Sequence, residues 1–369
     1  MSVTAAALTK QDEEQRGALV ERLFHGGIAV LEMLSIYVGD RLGLYRALAQ
    51  DGPARSSQLA RSAGIHERYA REWLEQQAVA GIIEVTAGNT DGAKREYRLA
   101  PGHAEVLLNS DSLNYLVPIV WAIPGLASTL PALLDAYRGG GGVPYRDYGA
   151  EFRNSIASSN RPMFKNQLGR DWIPAMADVD RRLRADPPAR VADVGCGTGW
   201  SSIAIAQAYP KVRVDGFDID EGSIATAREN ALKTGVENQV TFEVRDAGGP
   251  GKAASYDLVT AFETVHDMSD PVAALRAMHA LVAPGGAVLV ADERVAEAFT
   301  APGDELERFM YGWSVLHCLP VGRVDPPALG TGTVMRPETL RRYARDAGFS
   351  GVEILPIKHD FWRFYRLRP

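Results

Sequence analysis

A run of alternating glycines most constrains the fold of this chain. Residues 191–200 read VADVGCGTGW, so glycine occupies every second position from 195 to 199, directly after an apolar segment. In doubly wound sheets a glycine-rich turn between strand and helix lets the main chain approach a ligand. We therefore expect a ligand site at this turn. The dinucleotide fingerprint G-x-G-x-x-G does not fit, because its third glycine would fall on Trp200 or Ser202.

Strand-like and helix-like segments alternate from Arg190 onward. The apolar strand segments are RVADV, VRVDGFDI, VTFEVRDA, YDLVTAFE and AVLVADE. Continuous apolar strands that alternate with helices predict a parallel sheet covered on both faces. The chain ends with GVEILPI and FWRFYRLR, whose three-residue link requires an antiparallel hairpin.

The N-terminal part has a different pattern. A helical stretch over 21–50 precedes a short helix that ends at Gly64, a second helix from Glu67 to Ala80, and two strand-like segments. This order is that of a winged helix. Four glycines at 139–142 predict a flexible joint. We therefore divide the chain into a winged-helix domain, a helical linker with a glycine-rich hinge, and an α/β domain, with the ranges 1–110, 111–180 and 181–369.

The D-x-G-x-G-x-G spacing at 193–199 resembles motif I of the class I S-adenosylmethionine-dependent methyltransferases, and the resemblance extends over residues 187–369. It implies an α/β fold: a doubly wound, seven-stranded Rossmann-like sheet that ends in an antiparallel hairpin. It also implies S-adenosyl-L-methionine as cofactor and S-adenosyl-L-homocysteine as product. We expect no metal, because the sequence has no spaced cluster of histidine, cysteine and carboxylate ligands.

The same resemblance implies which residues bind the cofactor. Asp218 follows the last glycine by about 20 residues, the position at which a carboxylate accepts hydrogen bonds from ribose hydroxyls. Ile219 would pack on the adenine, and Asp246 and Ala247 would bind its edge. Asp193 would help to hold the methionine end, directly or through water. The expected cofactor-binding set is Asp193, Gly195, Gly197, Gly199, Asp218, Ile219, Asp246, Ala247 and Phe262.

The segment AFETVHDMSDP, at 261–271, resembles the H-D-W-S-D run of the plant-type small-molecule O-methyltransferases, in which the histidine is the general base. The resemblance makes His266 the candidate base, with Asp267 or Glu293 to orient it. A base helps because a phenol, with a pKa near 10, keeps its proton at neutral pH. Met268 and Phe262 depart from the Trp and Lys of that family. The alternative is a histidine that only shapes the turn.

Aromatic residues in two other segments predict a pocket for an aromatic acceptor. An aromatic stripe that belongs to the core is the alternative interpretation. The candidate acceptor-binding residues are Tyr145, Tyr148, Tyr311, Trp313 and His317.

Charge argues against nucleic acid as a partner. Residues 51–100 carry seven basic and seven acidic residues, whereas phosphate-led binding needs a positive excess. The family instead uses its winged helix to form a homodimer, and the apolar residues from Ile28 to Leu48 would supply the surface or the domain's own core. No signal peptide or membrane segment is expected, and only two cysteines occur, which fits the cytoplasm.

The sequence thus predicts a methyltransferase that acts on a small molecule, at an oxygen. Two alternatives remain open: methyl transfer to carbon or nitrogen, and a winged-helix regulator that binds the cofactor without turnover.

Overall fold

The structure is a computed structural model that describes residues 8–88, 91–246 and 254–369. The chain divides into two compact units, Met1–Val120 and Trp121–Pro369, and each is described by itself. The three-part division with boundaries after residues 110 and 180 stays a prediction.

The N-terminal unit is mainly helical and carries a small antiparallel sheet. Its helices are α1 (Lys10–Arg41), α2 (Leu44–Asp51), α3 (Ser56–Ala63), α4 (Glu67–Val79) and α5 (Pro101–Leu108). Its strands, in the spatial order β1-β3-β2, are β1 (Ala54–Arg55), β2 (Glu84–Ala87) and β3 (Glu96–Arg98). The predicted winged helix is confirmed.

The first helical stretch differs from the prediction in both its start and its continuity. Helix α1 begins at Lys10, where the Thr9 hydroxyl and the Asp12 carboxylate form a reciprocal cap. The predicted single helix over 21–50 is two helices, because Gly43 adopts a left-handed conformation with φ of 68° between α1 and α2.

The C-terminal unit contains the large sheet. Its helices are α6 (Pro118–Gly139, which starts in the first unit), α7 (Gly149–Met163), α8 (Ala177–Arg184), α9 (Trp200–Ala208), α10 (Glu221–Thr234), α11 (Pro271–Leu281), α12 (Glu305–Trp313), α13 (Leu319–Val321) and α14 (Pro337–Ala347). Its strands are β4 (Arg190–Val194), β5 (Arg213–Asp218), β6 (Val240–Val244), β7 (Tyr256–Phe262), β8 (Val282–Glu293), β9 (Gly351–Ile354) and β10 (Trp362–Arg368). Short 3₁₀ turns cover Tyr145–Tyr148 and Val265–Asp267, and π-helical segments cover Phe164–Trp172 and Ser314–Cys318.

The seven strands have the order β6-β5-β4-β7-β8-β10-β9. Strands β4 to β8 pair in parallel, whereas β10 pairs antiparallel with both β8 and β9. The predicted doubly wound sheet with a terminal hairpin is therefore confirmed. The direction of the strand order reverses between β4 and β7, the position at which ligands bind in such sheets.

Both faces of the sheet are buried, as continuous apolar strands predict. Along β8, Leu289 packs in one hydrophobic cluster, while its neighbours Val288 and Val290 pack in the cluster on the opposite face. The strand therefore lies between two cores, and polar residues at its end are held rigidly. This rigidity fixes the geometry of the site described below.

One helix of the described residues, α6, is long and apolar enough to cross a membrane by length and composition alone. The expectation that no segment is apolar enough for a membrane is therefore wrong for this helix. Core helices of soluble proteins meet the same criteria, and α6 contains Pro124 and Pro131 within its span.

Candidate active site

The glycine turn forms a tight cradle at the end of β4. Gly195, Gly197 and Gly199 have φ values of 67°, 51° and 82°, a left-handed conformation that side chains disfavour. A Cβ at Gly195 would lie 2.3 Å from the Thr264 hydroxyl, while one at Gly197 would meet nothing within 4 Å. The turn is thus packed on the β7 side and open at Gly197, which fits a ligand placed against its backbone.

Asp218 lies at the end of β5 and faces this turn. Its Oδ2 accepts a hydrogen bond from the Gly197 N–H at 2.8 Å, and its Oδ1 accepts from the Asp220 N–H at 2.9 Å. Burial raises the pKa of the carboxyl, although both backbone donors favour its ionised form. The carboxylate therefore holds the loop and keeps lone pairs available for ribose hydroxyls.

Asp193 has a different environment from the one that the resemblance implied. Its Oδ2 accepts from the hydroxyls of Ser201 at 2.5 Å and Ser202 at 2.6 Å, and its Oδ1 accepts from Thr260 at 2.8 Å. The side chain is fully buried beneath the glycine turn. Because three hydroxyls already occupy the carboxylate, the geometry favours support of the turn over direct contact with the methionine end.

The remaining predicted cofactor residues fall in three kinds of place. Ile219 is 67% exposed beside Asp218. Asp246 follows β6, while Ala247 lies outside the described residues. Phe262 is buried in the core against Phe164 and Trp172, so it supports the end of β7 from beneath and does not line the turn.

His266 is held between two carboxylates in the 3₁₀ turn after β7. The side chain is 2% exposed. Its Nδ1 lies 2.8 Å from Asp292 Oδ1, and its Nε2 lies 3.1 Å from Asp267 Oδ1. Of the two predicted orienting residues, Asp267 contacts the imidazole, but the Nδ1 partner is Asp292 and not Glu293. The Asp292 contact fixes the orientation of the ring. An imidazole that is held at one nitrogen can present the other nitrogen to a substrate.

These contacts change the pKa values of both groups. Burial alone would lower the pKa of His266, but the carboxylates of Asp292 and Asp267 outweigh it and raise the pKa well above its ordinary value. Burial would raise the pKa of Asp267, but the charge of His266 lowers it to about 2. Both carboxylates therefore favour the protonated form of the imidazole.

Glu263 and Glu293 form a second acidic pair beside His266. Glu293 is buried, and Glu263 accepts a hydrogen bond from the Asn160 amide while its backbone has φ of 53°. Burial raises the pKa of both carboxyls, and the charge of Glu263 raises that of Glu293 further. Both carboxyls therefore hold a proton more tightly than an exposed glutamate does. Glu263 was not predicted, although an acidic residue directly after an apolar strand is a usable signal.

Four aromatic side chains form a compact cluster with the imidazole of His317. Three of them contact that ring, and the fourth contacts one of the three. The ring of His317 lies 4.7 Å from the rings of Tyr148 and Phe152 and 5.6 Å from that of Tyr145. Trp313 lies 6.1 Å from Phe152. Burial raises the pKa of Tyr145, and the charge of Asp218 raises it further, which places this cluster near the cofactor turn. Phe152 was not predicted.

Tyr311 does not join this aromatic cluster. It is 38% exposed, and its hydroxyl accepts a hydrogen bond from Arg336 at 3.4 Å. No ring contact links it to the other four within the part of the chain that the structure describes. The prediction that it lines the acceptor pocket has no support from its position.

Burial of His317 predicts a pH dependence of stability. Burial lowers its pKa to about 4, and the nearby Asp267 only partly offsets this. The unfolded chain, with a histidine pKa of about 6.5, binds the proton more tightly, so the free energy of unfolding falls as the pH drops from about 6.5 towards 4. In urea titrations, the wild type should lose about 2 kcal/mol more between pH 7 and 5 than His317→Phe. Equal losses of stability in the wild type and His317→Phe would contradict this assignment. An equally reduced loss in a His103→Phe control would contradict it too.

Comparisons with known proteins match both parts of the chain to described families. The model of a family described as "Methyltransferase domain" matches residues 185–320, and that of the "Rv2258c-like winged HTH domain" matches residues 29–109. The chain is 33% identical over 201 residues to the ubiquinone biosynthesis O-methyltransferase of Pseudomonas paraeruginosa, across 53% of this chain and 76% of that protein.

Two solved structures share the fold over nearly the whole length. Human N-acetylserotonin methyltransferase, in complex with S-adenosylmethionine, has a TM-score of 0.71 at 17% identity and covers 99% of both chains. Mitomycin 7-O-methyltransferase has a TM-score of 0.67 at 18% identity and covers 96% of this chain and 99% of its own. At these identities the likeness establishes the fold.

The fold and the glycine turn define a methyltransferase with an N-terminal winged helix. The chain belongs to the family of S-adenosylmethionine-dependent methyltransferases. Its cofactor is S-adenosylmethionine, for which the open face at Gly197 and the carboxylate of Asp218 are suited.

Proposed function

We propose that this enzyme methylates a hydroxyl oxygen of a small aromatic molecule, with His266 as general base. The observation that carries the proposal is the contact between His266 Nδ1 and Asp292 at 2.8 Å. It orients a buried imidazole at the end of β7, the strand that pairs with the glycine-turn strand β4. The proposed cofactor site after β4 and the proposed base after β7 thus lie at the ends of adjacent strands.

The proposed chemistry is an in-line displacement. The bound cofactor supplies an electrophilic methyl group on a sulfonium, and the protein mainly sets the approach of the acceptor oxygen. The imidazole first loses its Nε2 proton to solvent, and the neutral ring then takes the hydroxyl proton at Nε2 once the acceptor replaces Asp267 as its neighbour. Asp292 then stabilises the imidazolium that forms, so the proton is held at a defined atom within the site.

The cofactor is proposed to lie along the strand ends from β4 to β6. Asp218 would accept from the ribose hydroxyls, Ile219 would cover the adenine, and Asp246 with Ala247 would bind the adenine edge. Gly195, Gly197 and Gly199 would follow the methionine arm. The exposure of Ile219 and the open face of Gly197 support this arrangement.

An aromatic acceptor fits the cluster of Tyr145, Tyr148, Phe152, Trp313 and His317. Rings that meet edge to face offer apolar surfaces against which a planar phenol packs. The names of the Pseudomonas relative and of mitomycin 7-O-methyltransferase both specify transfer to oxygen. We carry that reaction type to this chain as part of the proposal.

The test is a panel of phenols, aryl amines and carbon acids, incubated with methyl-labelled S-adenosylmethionine. We expect labelled product from phenols, detected by mass spectrometry, and none from the matching amines. Transfer to amines or carbon alone would refute O-methylation. A protein that binds cofactor, methylates nothing and shifts DNA at low salt would instead be a regulator.

We also propose a homodimer formed by α1, in a cytoplasmic enzyme. Leu19, Val20, Leu23, Phe24 and Leu31 are each more than half exposed on this helix, whereas Leu44, Tyr45 and Leu48 of α2 are buried. The residues from Ile28 to Leu48 were predicted to form either a dimer surface or the domain's own core. Helix α2 contributes to the core, whereas α1 presents exposed apolar area that suits a dimer surface. Both cysteines are free, which fits a reducing compartment.

A charge on α1 should therefore separate the subunits. Leu23→Glu places a carboxylate on a side chain that is 67% exposed, and we expect light scattering at micromolar concentration to give a monomer for it and a dimer for the wild type. Val79→Glu, at an isolated position that is 91% exposed on α4, is the control and should remain dimeric. A wild-type monomer would refute the proposal.

A further inference from the structure

The fold places a cysteine sulfur close to the imidazole nitrogen of His266 and the carboxylate oxygen of Asp267. Cys318, at the end of the π-helical segment after α12, is buried beside the 3₁₀ turn that carries His266 and Asp267. One donor atom from each of these three residues lies within 4.8 Å of the other two. No such cluster is visible in the sequence, because Cys318 is about 50 residues away from the other two ligands.

The cluster has the chemistry of a zinc site. Imidazole nitrogen, carboxylate oxygen and thiolate sulfur are the three ligand types that Zn²⁺ prefers, and three protein ligands leave a fourth position open. The second nitrogen of His266 is already held by Asp292 at 2.8 Å. A carboxylate on the non-ligating nitrogen is the usual partner that orients a zinc-binding histidine.

One polar atom of the cluster lacks a well-aligned hydrogen bond. Asp267 Oδ1 is buried and makes no well-aligned hydrogen bond, although His266 Nε2 is 3.1 Å away. Buried polar atoms without a partner are rare in native structures and call for one. An ion between Nε2 and Oδ1 would satisfy both atoms together.

We propose that His266, Asp267 and Cys318 bind one Zn²⁺ ion, which reversibly inhibits the enzyme. The ion displaces the Nε2 proton and the thiol proton, so two positive charges enter as two leave and the buried net charge stays constant. Inhibition follows because the ion occupies the nitrogen that must accept the acceptor's proton. This inhibitory part rests on the proposed function, whereas the binding site does not.

Zinc binding is tested on the reduced, metal-free, full-length protein. Competition against a chromophoric chelator should give one ion per chain, and X-ray absorption should detect one sulfur at about 2.3 Å from the metal. Asp292→Asn, which removes only an orienting partner, should weaken binding by about 10–100-fold, and Cys318→Ser, which removes a ligand, should weaken it more. Retained S-adenosylmethionine binding checks that each variant folds.

Cys196→Ser is the matched control for zinc affinity, because Cys196 is the other buried cysteine and lies outside the cluster. It should bind zinc as the wild type does. Unchanged affinity in Cys318→Ser, or an absorption spectrum without sulfur, would overturn the site.

Inhibition is measured separately, as the zinc concentration that halves methyl transfer. We expect a chelator to restore turnover fully, and Cys318→Ser to require at least tenfold more zinc, about 1.4 kcal/mol of lost affinity. Stoichiometric binding through Cys318 without loss of turnover would overturn the inhibitory role and leave the site standing. That outcome would also count against His266 as the base, whereas the zinc site itself stands or falls on the binding measurements alone.

Discussion

His266→Ala should lower turnover by about 10²–10⁴-fold, the contribution of a positioned general base. The dissociation constant of S-adenosylmethionine should stay within about twofold, because the ring contacts Asp292 and Asp267 rather than the glycine turn. Calorimetry and a methylation assay with an acceptor from the panel measure the two effects. His279→Ala, which removes a partly buried imidazole elsewhere in the same unit, is the control and should retain turnover.

The pH dependence of wild-type turnover should also show that a neutral His266 is required. The charges of Asp292 and Asp267 raise the pKa of His266 above its ordinary value, so the neutral, basic form grows only as the pH rises. Turnover should therefore increase with pH through an apparent pKa above about 6.5. A turnover that is unchanged by His266→Ala, or flat in the wild type between about pH 6 and 9, would contradict the role of base.

Asp218→Ala should weaken S-adenosylmethionine binding by about 10²–10⁴-fold. The carboxylate holds the Gly197 and Asp220 N–H groups, and it is proposed to accept from the ribose as well. Hydrogen bonds to a charged group contribute about 1.5–3 kcal/mol each. The loss of the two proposed bonds to the ribose hydroxyls therefore weakens binding by about 3–6 kcal/mol. Titration calorimetry with the cofactor measures this loss directly.

Two further variants separate the charge of Asp218 from its shape. Asp218→Asn keeps one carbonyl acceptor and should bind with intermediate affinity, whereas Glu229→Ala removes an exposed carboxylate on α10 and should bind as the wild type does. If Asp218→Ala bound the cofactor as tightly as the control does, the ribose assignment would be wrong.

The glycine turn could be predicted from sequence because its constraint is local. Positive φ values at Gly195, Gly197 and Gly199 follow from residue type, and the strand before them follows from its apolar run. The order of the sheet was predictable for the same reason, since short connections limit how strands can pair.

The partner of His266 was not predictable with the same certainty. Asp292 and Glu293 are consecutive at the end of β8, and neighbours in a strand point to opposite faces. Choosing between them requires the register, and a one-residue error selects the wrong carboxylate. Glu293 instead pairs with Glu263, whose left-handed backbone no local pattern indicates for a glutamate.

The aromatic cluster illustrates a similar limit on helices. Trp313 and His317 are four residues apart, which places them on one helical face, whereas Tyr311 precedes Trp313 by two and turns towards solvent. Periodicity could have excluded Tyr311. Phe152 and Cys318 could not have been found, because tertiary packing alone brings them to His317 and His266.

The most direct test is the nuclear magnetic resonance spectrum of the product formed from S-adenosylmethionine labelled with ¹³C in the methyl group. The proposed chemistry predicts one labelled carbon, attached to oxygen as an aryl methyl ether, and its initial rate of formation should fall about 10²–10⁴-fold with His266→Ala. A label attached to nitrogen or ring carbon, or an equal initial rate of ether formation with His266→Ala, would contradict it.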